Sequence, residues 1–212
     1  TSMGVVQHFS PDELGNGFTG SRALPENLLL VVRRAAGIHR LGDLAGKRFA
    51  LLDQEELSDV YLETLLMKTW RTPDVSRLAS IVREKRSSAL VHRLFFDQSD
   101  AALIYRNAYE AALAMNPQIT ERVQVLDEFS FKGSTPSIGL FSSRVSPEDR
   151  NFLVQTFMKF NDTARGRQVL QIYQADALVP SSVRDLDPYL ELLAANRSLK
   201  SALAASAKKG AR

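Results

Sequence analysis

Leu41-Gly-Asp-Leu-Ala-Gly-Lys-Arg-Phe-Ala-Leu-Leu52 is the stretch of sequence that decides the fold. It predicts a one-turn helix, a glycine stop and a buried strand that ends at Leu52. Residues 87–105 repeat the order of helix and strand, and the strand there is Asp100-Ala-Ala-Leu-Ile-Tyr105. Strands that alternate with helices predict an α/β fold with a parallel sheet covered by helices. Such sheets bind ligands at the carboxyl ends of their strands, so we expect function to lie in the loops there.

The composition excludes several classes of protein. The chain has 212 residues, which is enough for one large domain or two small ones. No apolar run approaches the roughly 18 residues of a membrane span. The chain has no cysteine, so a disulfide or a cysteine-ligated metal is excluded. The net charge of +3 is modest and no broad basic face carries interleaved aromatic residues, so nucleic acid is not an expected partner.

Hydrophobic periodicity and capping residues predict the remaining elements. A buried strand is expected at 28–32, further strands at 79–83, 123–126 and 137–141, and helices at 55–70, 87–96, 107–115, 147–161, 164–174 and 187–206. Glycines and prolines break any period in residues 1–27, which are therefore expected to form a loop. This loop includes Gly15-Asn-Gly-Phe-Thr-Gly20, which matches the dinucleotide fingerprint but lacks a convincing strand before it and helix after it.

No catalytic or metal-binding pattern is present. The three histidines, His8, His39 and His92, are far apart and share no metal-ligand spacing. The sequence contains neither HExxH nor GxSxG, and no spacing of Ser and Asp residues singles out a nucleophile or an acid/base pair. The sequence therefore predicts a protein that is not an enzyme and that needs no cofactor or metal.

The segment Glu84-Lys-Arg-Ser-Ser88 is a candidate anion site, because it follows a predicted strand and opens a helix. Backbone N–H groups, the guanidinium of Arg86 and the hydroxyls of Ser87 and Ser88 would converge there. A structural interpretation stays equally open, in which Ser87 only caps the helix while the basic side chains are solvated.

The loop after Leu52 is acidic. Its carboxylates stabilise the start of the next helix and would repel an anion, so a structural role is favoured there. If Glu55 or Glu56 does contact a ligand, that ligand has a cationic group; Ser58 completes this candidate side of the site.

Two further candidates rest on their position alone. Tyr105 and Arg106 follow the strand at 100–105 and offer a hydroxyl and a guanidinium fork. Ser134 and Thr135 lie in a polar segment that suits a crossing between two lobes.

At these residues the chain resembles the periplasmic solute-binding proteins of the type 2 fold, and in particular the phosphate/phosphite/phosphonate-binding family of ABC importers. The resemblance runs from about Leu28 to Tyr189 and includes the strand Leu28–Arg34, the run Leu41–Arg48, the helix Ser87–Phe96 and the strand Asp100–Tyr105. The phosphonate branch typically has a loop rich in Ser, Thr and Gly after the GKR strand. Here that loop is Asp53-Gln-Glu-Glu-Leu-Ser58.

The resemblance implies two α/β lobes with a ligand cleft between them and hinge closure around the ligand. Lobe one would hold residues 1–40 and 133–212, with its N-terminal part missing, and lobe two would hold 41–132. The ligand-binding residues would be those named above: Glu55, Ser58, Arg86, Ser87, Ser88, Tyr105, Arg106, Ser134 and Thr135.

The implied function is that of an extracytoplasmic solute-binding protein of an ABC importer, which captures a small, polar, anionic ligand of the phosphate or phosphonate type. Its partners would be that ligand and an ABC permease or a sensor at the membrane. The resemblance implies a periplasmic or extracytoplasmic location. Thr1-Ser-Met-Gly4 lacks the features of a signal peptide, so the signal is expected to be absent from this chain. The alternatives are an effector domain of a regulator or sensor kinase, and an enzyme on the same fold.

Overall fold

The computed structural model describes residues 14–21, 27–53, 55–72, 75–130, 138–172 and 175–210. These residues form two compact units. Unit 1 contains the described residues within Thr1–Glu26 and Phe131–Pro188, and unit 2 contains those within Asn27–Ser130 and Tyr189–Arg212. Within the described part of the chain, no helix is long and apolar enough to span a membrane.

Unit 2 is built on a five-stranded mixed sheet with the strand order β4-β3-β5-β2-β6. The strands are β2 (Leu28–Arg33), β3 (Arg48–Leu52), β4 (Ser80–Glu84), β5 (Ala101–Tyr105) and β6 (Val123–Phe129). β3 pairs in parallel with both β4 and β5, which confirms the predicted parallel arrangement for these three strands. β2 pairs antiparallel with β5 and β6, so the sheet as a whole is not parallel.

Four helices of unit 2 follow the strands: α1 (Glu56–Trp70), α2 (Ser87–Phe95), α3 (Arg106–Met115) and the short α4 (Ile119–Arg122). A core cluster joins the sheet to this helical layer through residues such as Leu29, Ala50, Leu90, Leu94 and Ile104. β2 is buried from Leu28 to Val32, as expected of a continuous apolar run in the interior of a sheet that is covered on both faces.

The last helix, α7 (Asp187–Gly210), packs its unit 2 portion on α1. Asn196 is only 4% exposed and donates through Nδ2 to Thr64 Oγ1 at 3.0 Å and to the Val60 carbonyl at 3.3 Å. Lys200 and Glu63 form an ion pair at 2.7 Å beside this contact. The polar contacts of one buried asparagine therefore position the C-terminal helix on unit 2.

Unit 1 contains a three-stranded antiparallel sheet with the order β7-β1-β8 and two helices. Its elements are β1 (Leu14–Ser21), β7 (Ile138–Ser142), α5 (Pro147–Met158), α6 (Ala164–Ile172) and β8 (Ala177–Ser181). The Phe18 ring lies on the sheet side of α5, with its centroid 4.6 Å from that of Phe157. Asn161 fastens the segment after α5 to β8, because its side chain exchanges two hydrogen bonds of 2.8 Å with the backbone of Leu178.

The prediction of a loop for residues 1–27 is wrong at 14–21, which form the central strand of the unit 1 sheet. One of the glycines that break the sequence period, Gly17, is required by close packing. A Cβ atom on Gly17 would lie 2.0 Å from the Gly139 carbonyl oxygen on the neighbouring strand. The fingerprint-like run Gly15–Gly20 is therefore part of a strand and not a flexible loop. β8 was not predicted either. It pairs with β1, and both strands form through pairing between segments that are distant in the sequence.

The predicted domain boundaries also differ from the observed units. Residues 27–40 and 189–212 were expected in lobe one, but both segments group with unit 2. Residues 27–40 belong to unit 2 because β2, which lies in this segment, hydrogen-bonds to β5 and β6 along its whole length. Residues 189–212 belong to unit 2 because α7 packs on α1.

Candidate functional site

The candidate site lies at the carboxyl edge of the parallel strands in unit 2. β3, β4 and β5 run in the same direction, so the loops after Leu52, Glu84 and Tyr105 share one edge of the sheet. The Asp53 N–H donates to the Glu84 carbonyl at 2.8 Å and joins two of these loops. α1, α2 and α3 all begin here, and the positive ends of their dipoles therefore lie at the same edge.

The start of α1 is capped by its own loop. The Glu55 carboxylate accepts the Ser58 N–H at 2.7 Å through Oε2, and it accepts the Tyr105 hydroxyl at 2.9 Å through Oε1. This confirms the structural role favoured for the acidic loop and brings together Glu55, Ser58 and Tyr105. Burial, followed by the neighbouring Glu55 charge, holds the pKa of Tyr105 well above its usual range, so the phenol remains a donor.

Two buried hydroxyls lie at this helix end. Ser58 is 1% exposed and Tyr189 is 3% exposed, and among the described residues neither side-chain oxygen has a hydrogen-bond partner. Burial, and then the charges of Glu56 and Glu55, raise the pKa of Tyr189 to about 12. Tyr189 was not among the predicted site residues, because no local pattern links the start of α7 to a loop more than a hundred residues earlier.

The start of α2 is open to solvent. Arg86 is the N-cap residue in an extended conformation, and it makes no side-chain capping hydrogen bond. Arg86 and Ser88 are exposed and Ser87 is half-buried. Among the residues that the structure describes, no side-chain hydrogen bond or ion pair is made by Lys85, Arg86, Ser87 or Ser88. The interpretation in which Ser87 caps the helix is therefore wrong.

Arg106 is engaged within unit 2. Its guanidinium donates to Glu128 at 2.6 Å and to Glu110 at 3.3 Å. The side-chain amide of Asn27 donates to Glu128, and the backbone carbonyl of Asn27 accepts the Arg106 N–H at 2.8 Å. Two carboxylates thus neutralise this arginine, which makes it a weaker candidate for an anion than Arg86. Ser134 and Thr135 lie outside the described residues.

A second charged cluster lies at the opposite edge of the sheet and was not predicted. Asp100 accepts hydrogen bonds from Arg48 at 2.9 Å and from Arg33 at 2.8 Å. The Arg48 hydrogen bond is the largest cause that holds the pKa of Asp100 far below its usual range. The cluster ties the ends of β2, β3 and β5 together, so we assign it a structural role.

In the described ranges, no group of three or more His, Asp or Glu side chains could hold a metal ion. What the carboxyl edge offers is a set of hydrogen-bond donors and charges: an exposed guanidinium and hydroxyls at α2, and a carboxylate with three hydroxyls at α1. This arrangement can bind a polar small molecule.

Residues 20–186 match the family model of the periplasmic substrate-binding protein of phosphonate ABC transporters. No significant match is found among curated proteins. The family is one of transport solute-binding proteins, so the comparisons support neither an enzyme, nor an effector domain of a regulator or sensor kinase, nor a sensor partner.

Solved structures share the fold at low sequence identity. A binding-protein component of an ABC phosphonate transporter from Pseudomonas aeruginosa is 18% identical with a TM-score of 0.58, over 90% of this chain and 65% of that one. PhnD1 from Prochlorococcus marinus in complex with methylphosphonate is 14% identical with a TM-score of 0.56, over 94% and 83%. A Xanthomonas citri protein bound to ATP is 12% identical with a TM-score of 0.69, over 94% and 76%.

The chain thus spans 65% of the length of the Pseudomonas aeruginosa structure that it resembles. The family model nevertheless matches well over half of the chain, and the solved structures share its α/β fold. The chain therefore has the two-lobed fold of the type 2 periplasmic binding proteins and belongs to the family of periplasmic phosphonate-binding proteins of ABC transporters.

Proposed function

We propose that this protein captures a small anionic ligand of the phosphate or phosphonate class in the periplasm and delivers it to an ABC permease. The observation that carries the proposal is the open amino end of α2. There an exposed arginine and two serines without side-chain partners among the described residues lie at the positive end of a nine-residue helix.

The chemistry of this helix end suits an oxyanion. The first N–H groups of a helix have no partner within the helix and the dipole favours negative charge. A guanidinium adds a bidentate donor, which matches the geometry of phosphonate oxygens. Arg86, Ser87 and Ser88 are therefore the residues that we assign to the anionic group, while Arg106 keeps its two carboxylate partners.

The test is a calorimetric titration with methylphosphonate and inorganic phosphate. Arg86→Ala combined with Ser87→Ala should weaken binding by at least about 100-fold, because each lost hydrogen bond to a charged group contributes about 1.5–3 kcal/mol. Lys68→Ala combined with Ser80→Ala is the matched control. It removes one charge and one hydroxyl from exposed positions at the opposite edge of unit 2.

The control should bind as the wild type does. Equal affinity of the Arg86/Ser87 variant and the wild type would contradict the site assignment. A wild type that binds neither anion would contradict the proposed ligand class.

A further inference from the structure

The amino end of α1 is closed by a carboxylate of the chain itself. The Glu55 Oε2 atom lies 2.7 Å from the Ser58 nitrogen, which is a hydrogen-bonding distance to a free N–H of the first turn. Free N–H groups at a helix start are the groups that bind phosphate, sulfate or carboxylate from solution. Glu55 thus occupies the place at this helix end that an oxygen of a bound oxyanion would take.

The start of α1 also has more hydroxyl groups that can donate hydrogen bonds than acceptors supplied by the described part of the chain. The Tyr105 hydroxyl is satisfied by Glu55 at 2.9 Å. Ser58 is 1% exposed and Tyr189 is 3% exposed. Their hydroxyl oxygens have no hydrogen-bond partner among the described side chains and backbone. Buried hydroxyls in native proteins are nearly always hydrogen-bonded, so two unpartnered ones point to a group that is bound from outside.

The charges around these hydroxyls disfavour an anion. Glu55 and Glu56 both begin α1, and neither forms an ion pair with a described residue. Asp59, one turn further on, is paired with Arg83 at 2.7 Å, so its charge is compensated. An oxyanion that approached Ser58 would meet two uncompensated carboxylates, while a neutral or cationic group would not be repelled.

We infer that Glu55 is a specificity-determining residue, which fills the amino end of α1 and excludes oxyanions from it. This inference rests on the proposed function, in which the oxyanionic group of the ligand binds at the start of α2. The part of the same ligand that reaches the start of α1 is then not a second oxyanion. The ligand class is therefore narrowed to molecules with an oxyanion at one end and a neutral or cationic polar group at the other.

The test is a calorimetric titration of Glu55→Ser and the wild type with sulfate, at constant ionic strength. Serine is a strong N-cap residue, so this variant removes the carboxylate and keeps a cap for α1. We expect Glu55→Ser to bind sulfate at least about tenfold more tightly than the wild type, which corresponds to 1.4 kcal/mol. Glu55→Asn provides a second capping side chain if the serine variant does not fold.

The matched control is Glu56→Gln, which removes the same charge from the adjacent residue. The Glu56 side chain makes no hydrogen bond with a described residue, so its removal does not vacate the helix end. A sulfate affinity of Glu55→Ser equal to that of the wild type would overturn the inference. An equal gain in Glu56→Gln would also overturn it, because net charge alone would then explain the effect.

Titration of the wild type with methylphosphonate separates the two proposals. If the wild type does not bind methylphosphonate but Glu55→Ser gains sulfate binding, the proposed ligand class fails and the role of Glu55 stands. If the wild type binds methylphosphonate and Glu55→Ser gains nothing with sulfate, the proposed function stands and the role of Glu55 fails.

Discussion

At the scale of single residues, the arginines of unit 2 differ in the carboxylates that the fold brings to them. Arg106 lies between Glu110 and Glu128, whereas Arg86 is exposed at the start of a helix. Both follow a predicted strand, and their local sequences do not distinguish a paired guanidinium from an open one. The distinction depends on Glu128, which is 22 residues from Arg106 and reaches it only through the pairing of β2 with β5 and β6.

Asp100 provides a test of acid stability at this scale. Its pKa is far lower in the folded protein than in the unfolded chain, because Arg48 and Arg33 bind the charged form. A carboxyl group with a depressed folded pKa stabilises the protein above its unfolded pKa, and this contribution is lost as the pH falls through the folded pKa. The free energy of unfolding should therefore decrease as the pH is lowered below about 4.

Asp100→Asn should lower the free energy of unfolding at pH 7 by on the order of 2–3 kcal/mol, because it removes the carboxylate that pairs with Arg48 and one of the two carboxylates that pair with Arg33, the other being Asp97. It should also flatten the dependence on pH below about 4. Urea denaturation at a series of pH values measures both effects. Asp59→Asn is the control, since the Asp59–Arg83 pair is about 40% exposed on each side and should contribute less than about 1 kcal/mol. Equal losses in the two variants would contradict the role of Asp100.

At the scale of elements, the strands of unit 2 and its helices other than the short α4 were predicted, because their signals are local. The apolar run Leu28–Val32 predicts β2, and helical periodicity with a proline stop predicts α1. β1 and β8 lack such signals. β1 contains three glycines, and it is a strand because two neighbours satisfy its backbone groups. The direction of β2 was likewise not predictable, since an apolar run does not indicate whether its partners run parallel or antiparallel to it.

The contact of α7 with α1 depends on Asn196. Asn196→Ala should lower the free energy of unfolding by about 1–3 kcal/mol, because it removes a buried amide and leaves Thr64 Oγ1 without that donor. Lys200→Ala is a matched control on the same helix. It removes a half-exposed ion pair with Glu63 and should cost less than about 1 kcal/mol. Urea denaturation followed by circular dichroism measures the difference, and a loss in Asn196→Ala no larger than that in Lys200→Ala would show that packing alone positions α7.

At the scale of the whole molecule, the chain leaves unit 2 and returns to it. Unit 2 begins at Asn27, is interrupted after Ser130 and resumes at Tyr189. The C-terminal helix therefore completes the unit that the first predicted strand opens. Tyr189 and Leu192 of this helix are both buried, and Asn196 hydrogen-bonds to Thr64, so unit 2 depends on residues that are remote in sequence.

Truncation after Pro188 should destabilise unit 2 selectively. It removes the buried side chains of Tyr189 and Leu192 and the hydrogen bonds of Asn196, which together correspond to on the order of 3 kcal/mol or more. Hydrogen exchange followed by mass spectrometry should show α1 amides that exchange faster while those of β1 and β7 are unchanged. A control truncation after Ser206 removes only the end of α7 and should leave α1 protected. Unchanged exchange in α1 after truncation at Pro188 would contradict the assignment of α7 to unit 2.

The sequence by itself determined the α/β class, the positions of most helices and strands, and the family, because each of these depends on local periodicity, capping residues and short motifs. It also identified the loop positions at the carboxyl edge of the sheet, since the ends of parallel strands follow from element order. Only the tertiary structure decided which side chains at that edge are open and which are paired. Glu55 accepts a hydrogen bond from Tyr105, which is 50 positions away in the sequence. Arg106 is paired with Glu128, which is 22 positions away. Such contacts require the strands to be paired first, and no local pattern in the chain encodes that pairing.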